Sequence, residues 1–218
     1  MIELKHVTKK YGTSENEVLA LNDISLSIKE KELVAVVGTS GSGKSTLLNI
    51  LGGMDQLSSG QYLFDGKDVA QYSDSSLHKF RKENVSFVFQ NFALINRYTV
   101  YENVEIPLLA RNIKHRKAII MDCLDKLGIA NLADKYPQNI SGGQQQRCAI
   151  GRALVTDCRL LLCDEPTGAL DSHTSMEIME LLREMNHSGK TVVVVTHDKD
   201  IAAECDRQIQ LEDGKIVE

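Results

Sequence analysis

Four short apolar runs set the strongest limit on this fold. They are Leu33–Val37, Val85–Phe89, Leu160–Cys163 and Val192–Val195, and only Ser86 interrupts them. A strand with one face in water alternates apolar and polar residues. A continuous run needs cover on both faces, which is the condition of a parallel sheet flanked by helices. The intervening segments carry apolar residues at helical spacing. Ile119, Ile120, Cys123, Leu124 and Leu127 are predicted to share one helix face, stopped by Gly128. Ile178, Leu181, Leu182 and Met185 are predicted to line another, capped by Asp171 or Ser172 and stopped by Gly189. The first third is β-rich, with strands expected at Ile2–Thr8, Val18–Ile28 and Gln61–Phe64, the last before the turn pair Asp65-Gly66.

Each apolar run ends in residues suited to chemistry. Gly38, Gln90, Asp164-Glu165 and Thr196-His197 follow the four runs directly. Open α/β sheets bind ligands off the carboxyl ends of their strands, so these residues are expected in one site. The first run leads into Gly38-Thr39-Ser40-Gly41-Ser42-Gly43-Lys44-Ser45, which matches G-x-x-x-x-G-K-[ST]. A strand precedes the motif, and Leu47, Leu48, Ile50 and Leu51 continue it into a helix, as the motif requires. Its glycines let backbone N–H groups turn inward around phosphate oxygens, and the helix N-terminus adds partial positive charge. Lys44 is expected to reach the β- and γ-phosphates, and the Ser45 hydroxyl to ligate Mg2+. A flexible Gly/Ser turn is the plain alternative, and the strand and helix on either side argue against it.

The third run ends in two carboxylates. Asp164 can hold Mg2+ through its water shell, and Glu165 can act as general base toward an attacking water. A separate segment, Ser141-Gly142-Gly143-Gln144, opens a helix expected to run through Leu154, with Ser141 as N-cap. Its free N–H groups suit a second anion contact.

Composition excludes several classes. Among 218 residues, Lys plus Arg is 25 and Asp plus Glu is 30, a formal net charge of −5. That argues against binding nucleic acid by bulk charge. No apolar run approaches the ~20 residues that span a bilayer, and the first residues lack the apolar centre of a signal peptide. A soluble chain is expected. The five cysteines include no C-x-x-C pair, so reduced thiols in a cytosolic compartment are expected, with Cys163 as a core residue.

With these motifs in this order, the chain resembles an ABC-transporter ATPase along essentially its whole length. Ser141 to Gln144 matches the signature loop, Gln90 the Q-loop, Ala169-Leu170-Asp171 the D-loop, His197 the switch histidine and Tyr11 the adenine-stacking aromatic. The resemblance implies an α/β fold: a P-loop NTPase with a RecA-like parallel core, an N-terminal antiparallel β region and an inserted helical subdomain. Residues 1–90 and 159–218 would form the core of a single cassette spanning 1–218, and about 91–158 the helical signature part. It implies ATP contacts at Tyr11, Gly38 to Thr46 and Gln90, metal contacts at Ser45, Gln90 and Asp164, and catalysis by Glu165 and His197. A second ATPase chain would dimerise head to tail, ATP-dependently, offering Ser141, Gly142, Gly143 and Gln144 in trans, with Asp171 in the D-loop. A transmembrane permease on a separate chain would hold the ATPase at the inner face of the cell membrane. No nucleic-acid partner is expected.

A finer resemblance is to the MacB/LolD/FtsE-like branch. It is carried by Gly41 to Asp55, Phe87 to Phe92, Tyr101 to Leu108 and Asp164 to Asp171. It implies export of, or resistance to, peptides, antibiotics or lipoproteins, or alternatively an FtsE-like ATPase that controls cell-wall enzymes. ABC-type ATPases of DNA repair or translation usually carry long insertions or paired cassettes, which are missing here. P-loop kinases and GTPases do not account for Ser141 to Gln144. The chain departs from the family at Lys31 (usually Gly), Ile140 (usually Leu) and Gly151 (usually Ala). Phe92, Tyr98 and Tyr101 fit either packing inside the helical part or contact with a membrane partner.

Overall fold

The computed structural model describes residues 1–13 and 16–217. Two sheets share the chain. β1 (Ile2–Tyr11), β2 (Val18–Ile28), β4 (Ser59–Phe64) and β5 (Lys67–Asp68) form an antiparallel sheet in the order β2-β1-β4-β5. β4 and β5 are joined through Asp65 and Gly66, at φ 50° and 75°, with Phe64 opposite Lys67. Both central residues in the left-handed region make this the two-residue hairpin expected of an Asp-Gly pair.

The second sheet contains β3 (Leu33–Val37), β6 (Val85–Phe89), β7 (Leu160–Asp164), β8 (Thr191–Thr196), β9 (Arg207–Glu212) and β10 (Lys215–Val217). Its order is β10-β9-β3-β8-β7-β6, with every pair parallel except β10 against β9. The continuous apolar runs are divided between two cores. Leu160, Leu162, Val193 and Val195 face the antiparallel sheet and α1 (Lys44–Leu51). Leu161, Cys163, Val192 and Val194 face the opposite side, toward α3 (Val100–Ala110), α4 (Arg116–Lys126), α5 (Gly142–Leu154) and α6 (Ser172–His187). The period of two is present but hidden, because both faces are dry.

Two local expectations change. β6 lies at the sheet edge, preceded by α2 (Asp74–Asn84), and only Val85 and Val88 are buried in it. Ser86 is satisfied by the Thr156 hydroxyl at 2.9 Å, so the interrupted run is an edge strand. Ile119 is 39% exposed, whereas Ile120, Cys123, Leu124 and Leu127 are buried. The i, i+3, i+4, i+7 stripe of α4 starts at 120 and leaves 119 about 100° off it. Between the alternatives for α6, Asp171 is the N-cap and Ser172 the first helical residue. The five thiols are free and four are buried. Burial pushes Cys123 and Cys148 up to about 12, so they act as small apolar residues.

Candidate active site

The loop between β3 and α1 is shaped by backbone that only glycine allows. Gly43 has φ 103°, and a Cβ there would strike the Ala20 carbonyl oxygen. A Cβ on Gly38 would strike the Leu211 carbonyl oxygen and come within 2.6 Å of Ser42 Oγ. Lys44 opens α1 and arches back, donating to the carbonyls of Gly38 at 2.8 Å and Thr39 at 2.7 Å. This puts the ammonium of a buried lysine beside a Gly/Ser loop at a helix N-terminus, a combination suited to an anion. Ser42 Oγ is buried without a hydrogen-bond partner among the described residues.

Across this mouth stands the end of β7. Ser45 Oγ lies 3.4 Å from Asp164 Oδ1. Burial raises the Asp164 pKa, the neighbouring Glu165 charge adds to the rise, and the Ser45 hydroxyl opposes it. A hydroxyl and a partly buried carboxylate are hard oxygen donors of the kind Mg2+ prefers, and a cation there would reverse the strain on the Asp164 charge. Glu165 has φ 48°, fixed by its N–H donating to Val195 O at 2.9 Å. Its side chain, 16% exposed, holds His197 Nδ1 at 2.9 Å. Gln90, after β6, packs its amide against Gly168, where a Cβ would approach Nε2 to 2.8 Å. Thr39 to Gly41, Gly43 to Thr46, Asp164, Glu165 and His197 line one cleft of about 660 Å³.

Tyr11 stands at the end of β1, 40% exposed. Its hydroxyl donates to Asp55 Oδ2 at 2.6 Å and is within reach of the Thr46 side chain. Burial first, then the Asp55 contact, raises its pKa. Lys9 Nζ donates to Asp55 Oδ1 at 2.6 Å and lies 4.6 Å from the centre of the Tyr11 ring. Asp55 closes the Gly41 to Asp55 stretch and has no role in the resemblance. Its partners are 44 and 46 residues away, so no local pattern announces them.

The signature segment does not line the 660 Å³ cleft. Ser141 caps α5: its Oγ accepts the Gln144 N–H at 3.3 Å, and Gln144 Oε1 accepts the Ser141 N–H at 2.9 Å. Gly142 lies against Leu170 and Phe92, and Gly143 against Thr174. Asp171 accepts Thr174 N–H at 3.0 Å and Thr174 Oγ1 at 2.7 Å, bonds that hold its carboxyl below its usual value. Phe92, Tyr98 and Tyr101 are all partly buried, and Tyr101 packs on the second core.

A phosphate-cradling loop before a helix, facing two carboxylates at a neighbouring strand end, defines a P-loop nucleotide site. The comparisons narrow the class: the ABC transporter family model matches residues 21–168, and the chain belongs to that family. It is 46% identical, along its full length, to the macrolide export ATP-binding/permease protein MacB of Salmonella paratyphi A and 42% identical to that of Escherichia coli K12. It spans 34% of the length of these relatives. Among solved structures, the dimeric ABC transporter cassette MJ0796 superimposes with a TM-score of 0.92 at 44% identity, covering 100% of this chain and 97% of that one. CbiO1 of Clostridium perfringens, part of the complex cbiONQ, gives 0.87 at 33% identity, with 100% and 86% covered. The expected fold class and the resemblance to ABC ATPases, MacB-like ones included, are therefore correct.

Proposed function

We propose that this chain binds ATP–Mg2+ in the 660 Å³ cleft and hydrolyses it to power a membrane permease. The observation that carries the reading is the Glu165–His197 pair, fixed at the end of β7 and β8 beside the Lys44–Ser45 mouth. Gly38 to Thr46 hold the phosphates, and Tyr11 stacks on the adenine. Ser45 and Asp164, with Gln90, would hold Mg2+, which would neutralise developing phosphate charge. Glu165 takes the proton of the attacking water, and His197 orients the Glu165 carboxylate and the γ-phosphate.

Ser141 to Gln144 do not line the cleft. This supports a head-to-tail dimer in which the second copy supplies them, Asp171 lying between the halves. MJ0796 is described as dimeric, in one structure with ADP and Pi bound. ATP then closes the dimer because it touches both halves, and hydrolysis removes that differential contact. Residues of about 91–158 form the helical part that carries the signature. A groove of about 590 Å³ between α2, β6, α3 and α5 joins Phe87, Ile106 and Pro107 to Arg81 and Arg111. It suits an amphipathic segment of the permease.

Among the described residues no helix is long and apolar enough to cross a membrane. We place the chain on the cytoplasmic face through its permease, which MacB-named relatives carry in their own chain by their printed name. The substrate class is macrolide-like antibiotics, peptides or lipoproteins. No observation favours FtsE-like control of cell-wall enzymes. Glu165→Gln tests the reading: turnover should fall by about 10²–10⁴ while ATP binding persists and a dimer accumulates on size exclusion. Undiminished hydrolysis would remove Glu165 as base, and co-purification without any membrane protein would remove the permease.

A further inference from the structure

Two consecutive residues without glycine's freedom stand in the left-handed region just after Gln90: Phe92 at φ 59° and Ala93 at φ 47°. Each is disfavoured there by about tenfold, so the bend needs an external hold. Arg152 on α5 provides it. Its guanidinium donates to the Phe92 carbonyl at 2.6 Å and to the Ala93 carbonyl at 2.5 Å. A planar fork can serve two adjacent carbonyls at once, which a lysine ammonium does less well. The bend also touches the site at both ends. Gln90 rests against Gly168, whose N–H donates to the Glu165 carbonyl at 3.1 Å. The Phe92 ring lies against Gly142 at the start of α5.

We propose that Arg152 is a positioning residue for hydrolysis: it holds the strained bend at 92–93 and so keeps Gln90 seated against the turn that carries Glu165. The inference rests on the reading of Gln90 and Glu165 as site residues. Without the guanidinium, Phe92 and Ala93 relax toward ordinary backbone, and the Gln90 amide loses its seat. The loop that cradles phosphate is not part of this contact, so nucleotide binding persists.

The test compares the parent chain with Arg152→Ala, Arg152→Lys, Ala93→Val and the double variant Arg152→Ala/Ala93→Gly. Arg152→Ala should lower kcat for ATP by about tenfold or more, with KM within about threefold of the parent. Arg152→Lys should fall between. Ala93→Val should reproduce the loss without touching α5, because a β-branched residue resists positive φ. Glycine adopts that φ without penalty, so the double variant should regain most of the lost rate. Hydrogen exchange over residues 91–95 should rise in the two damaging variants and fall again in the double variant. A role in fold stability alone would lower Tm but give no rescue by Ala93→Gly. Parent-like kcat in both Arg152→Ala and Ala93→Val, or a double variant no faster than Arg152→Ala, overturns the proposal. Should Arg152→Ala fail to fold, Ala93→Val decides. A parent chain that hydrolyses no ATP would overturn the underlying reading instead, and the exchange measurements would still judge the clamp.

Discussion

Asp55→Ala should loosen Tyr11 and weaken the grip on the nucleotide base. Asp55 joins three groups: the Lys9 ammonium at 2.6 Å, the Tyr11 hydroxyl at 2.6 Å and the Gln56 N–H at 2.7 Å. Exposed ion pairs contribute about 0–1 kcal/mol, and breaking a buried one costs about 3–5 kcal/mol. The Lys9 and Asp55 side chains are 12% and 27% exposed, so about 2 kcal/mol is expected. For a chain of this size that is a Tm loss of about 4–8 °C. The pH dependence has a definite sign. Burial pushes the Asp55 carboxyl up, but the bonds from Lys9 and Tyr11 outweigh it and leave the pKa lowered. A lowered carboxyl stabilises the fold above its unfolded value of about 3.9, and that contribution is lost as pH falls through the folded value. Calorimetry should therefore show a constant gap between parent and variant from neutral pH to about pH 5, closing below about pH 4. Base stacking is worth roughly 1–3 kcal/mol, and a loosened ring that forfeits about 1 kcal/mol of it should lower ATP affinity about fivefold, while tripolyphosphate affinity holds. A Tm unchanged at pH 7, or a gap that persists in acid, would refute the reasoning.

Lys44→Ala and Ser141→Arg should each abolish turnover. Mixed one to one they should recover about a quarter of it, since half the dimers are mixed and each has one intact composite site; recovery of nothing from two folded variants would count against shared sites. Lys31→Gly should stabilise the chain. Lys31 sits at φ 62°, a conformation costing about 1–2 kcal/mol for a side chain, partly offset by the greater unfolded freedom of glycine. A Tm rise of about 2 °C is expected, and a fall would show that Lys31 makes an unrecognised contact.

The sheet was legible because burial on both faces leaves a plain mark in β3, β7 and β8. The division of each run between two cores was not, since Leu160 and Leu161 are alike in sequence but face opposite sides. The phosphate loop was legible because its chemistry is local: Gly38 to Ser45 supply turn, charge and hydroxyl within one segment. Asp55 and Arg152 were not, because their partners lie 44 to 60 residues away and meet them only through topology. Backbone conformation was the least visible. Ten non-glycine residues among those described have positive φ, and six are Asp, Asn or His, which tolerate it. The other four are Lys31, Phe92, Ala93 and Glu165, and three of these follow β6 or β7. No turn residue in the sequence announces those three. Strain of this kind persists only where the surroundings over-determine it: Val195 holds Glu165 by its N–H, and Arg152 holds Phe92 and Ala93 by their carbonyls. The residues that break the local rule are thus fixed by long-range bonds, and both sets of bonds converge on Glu165 and Gln90.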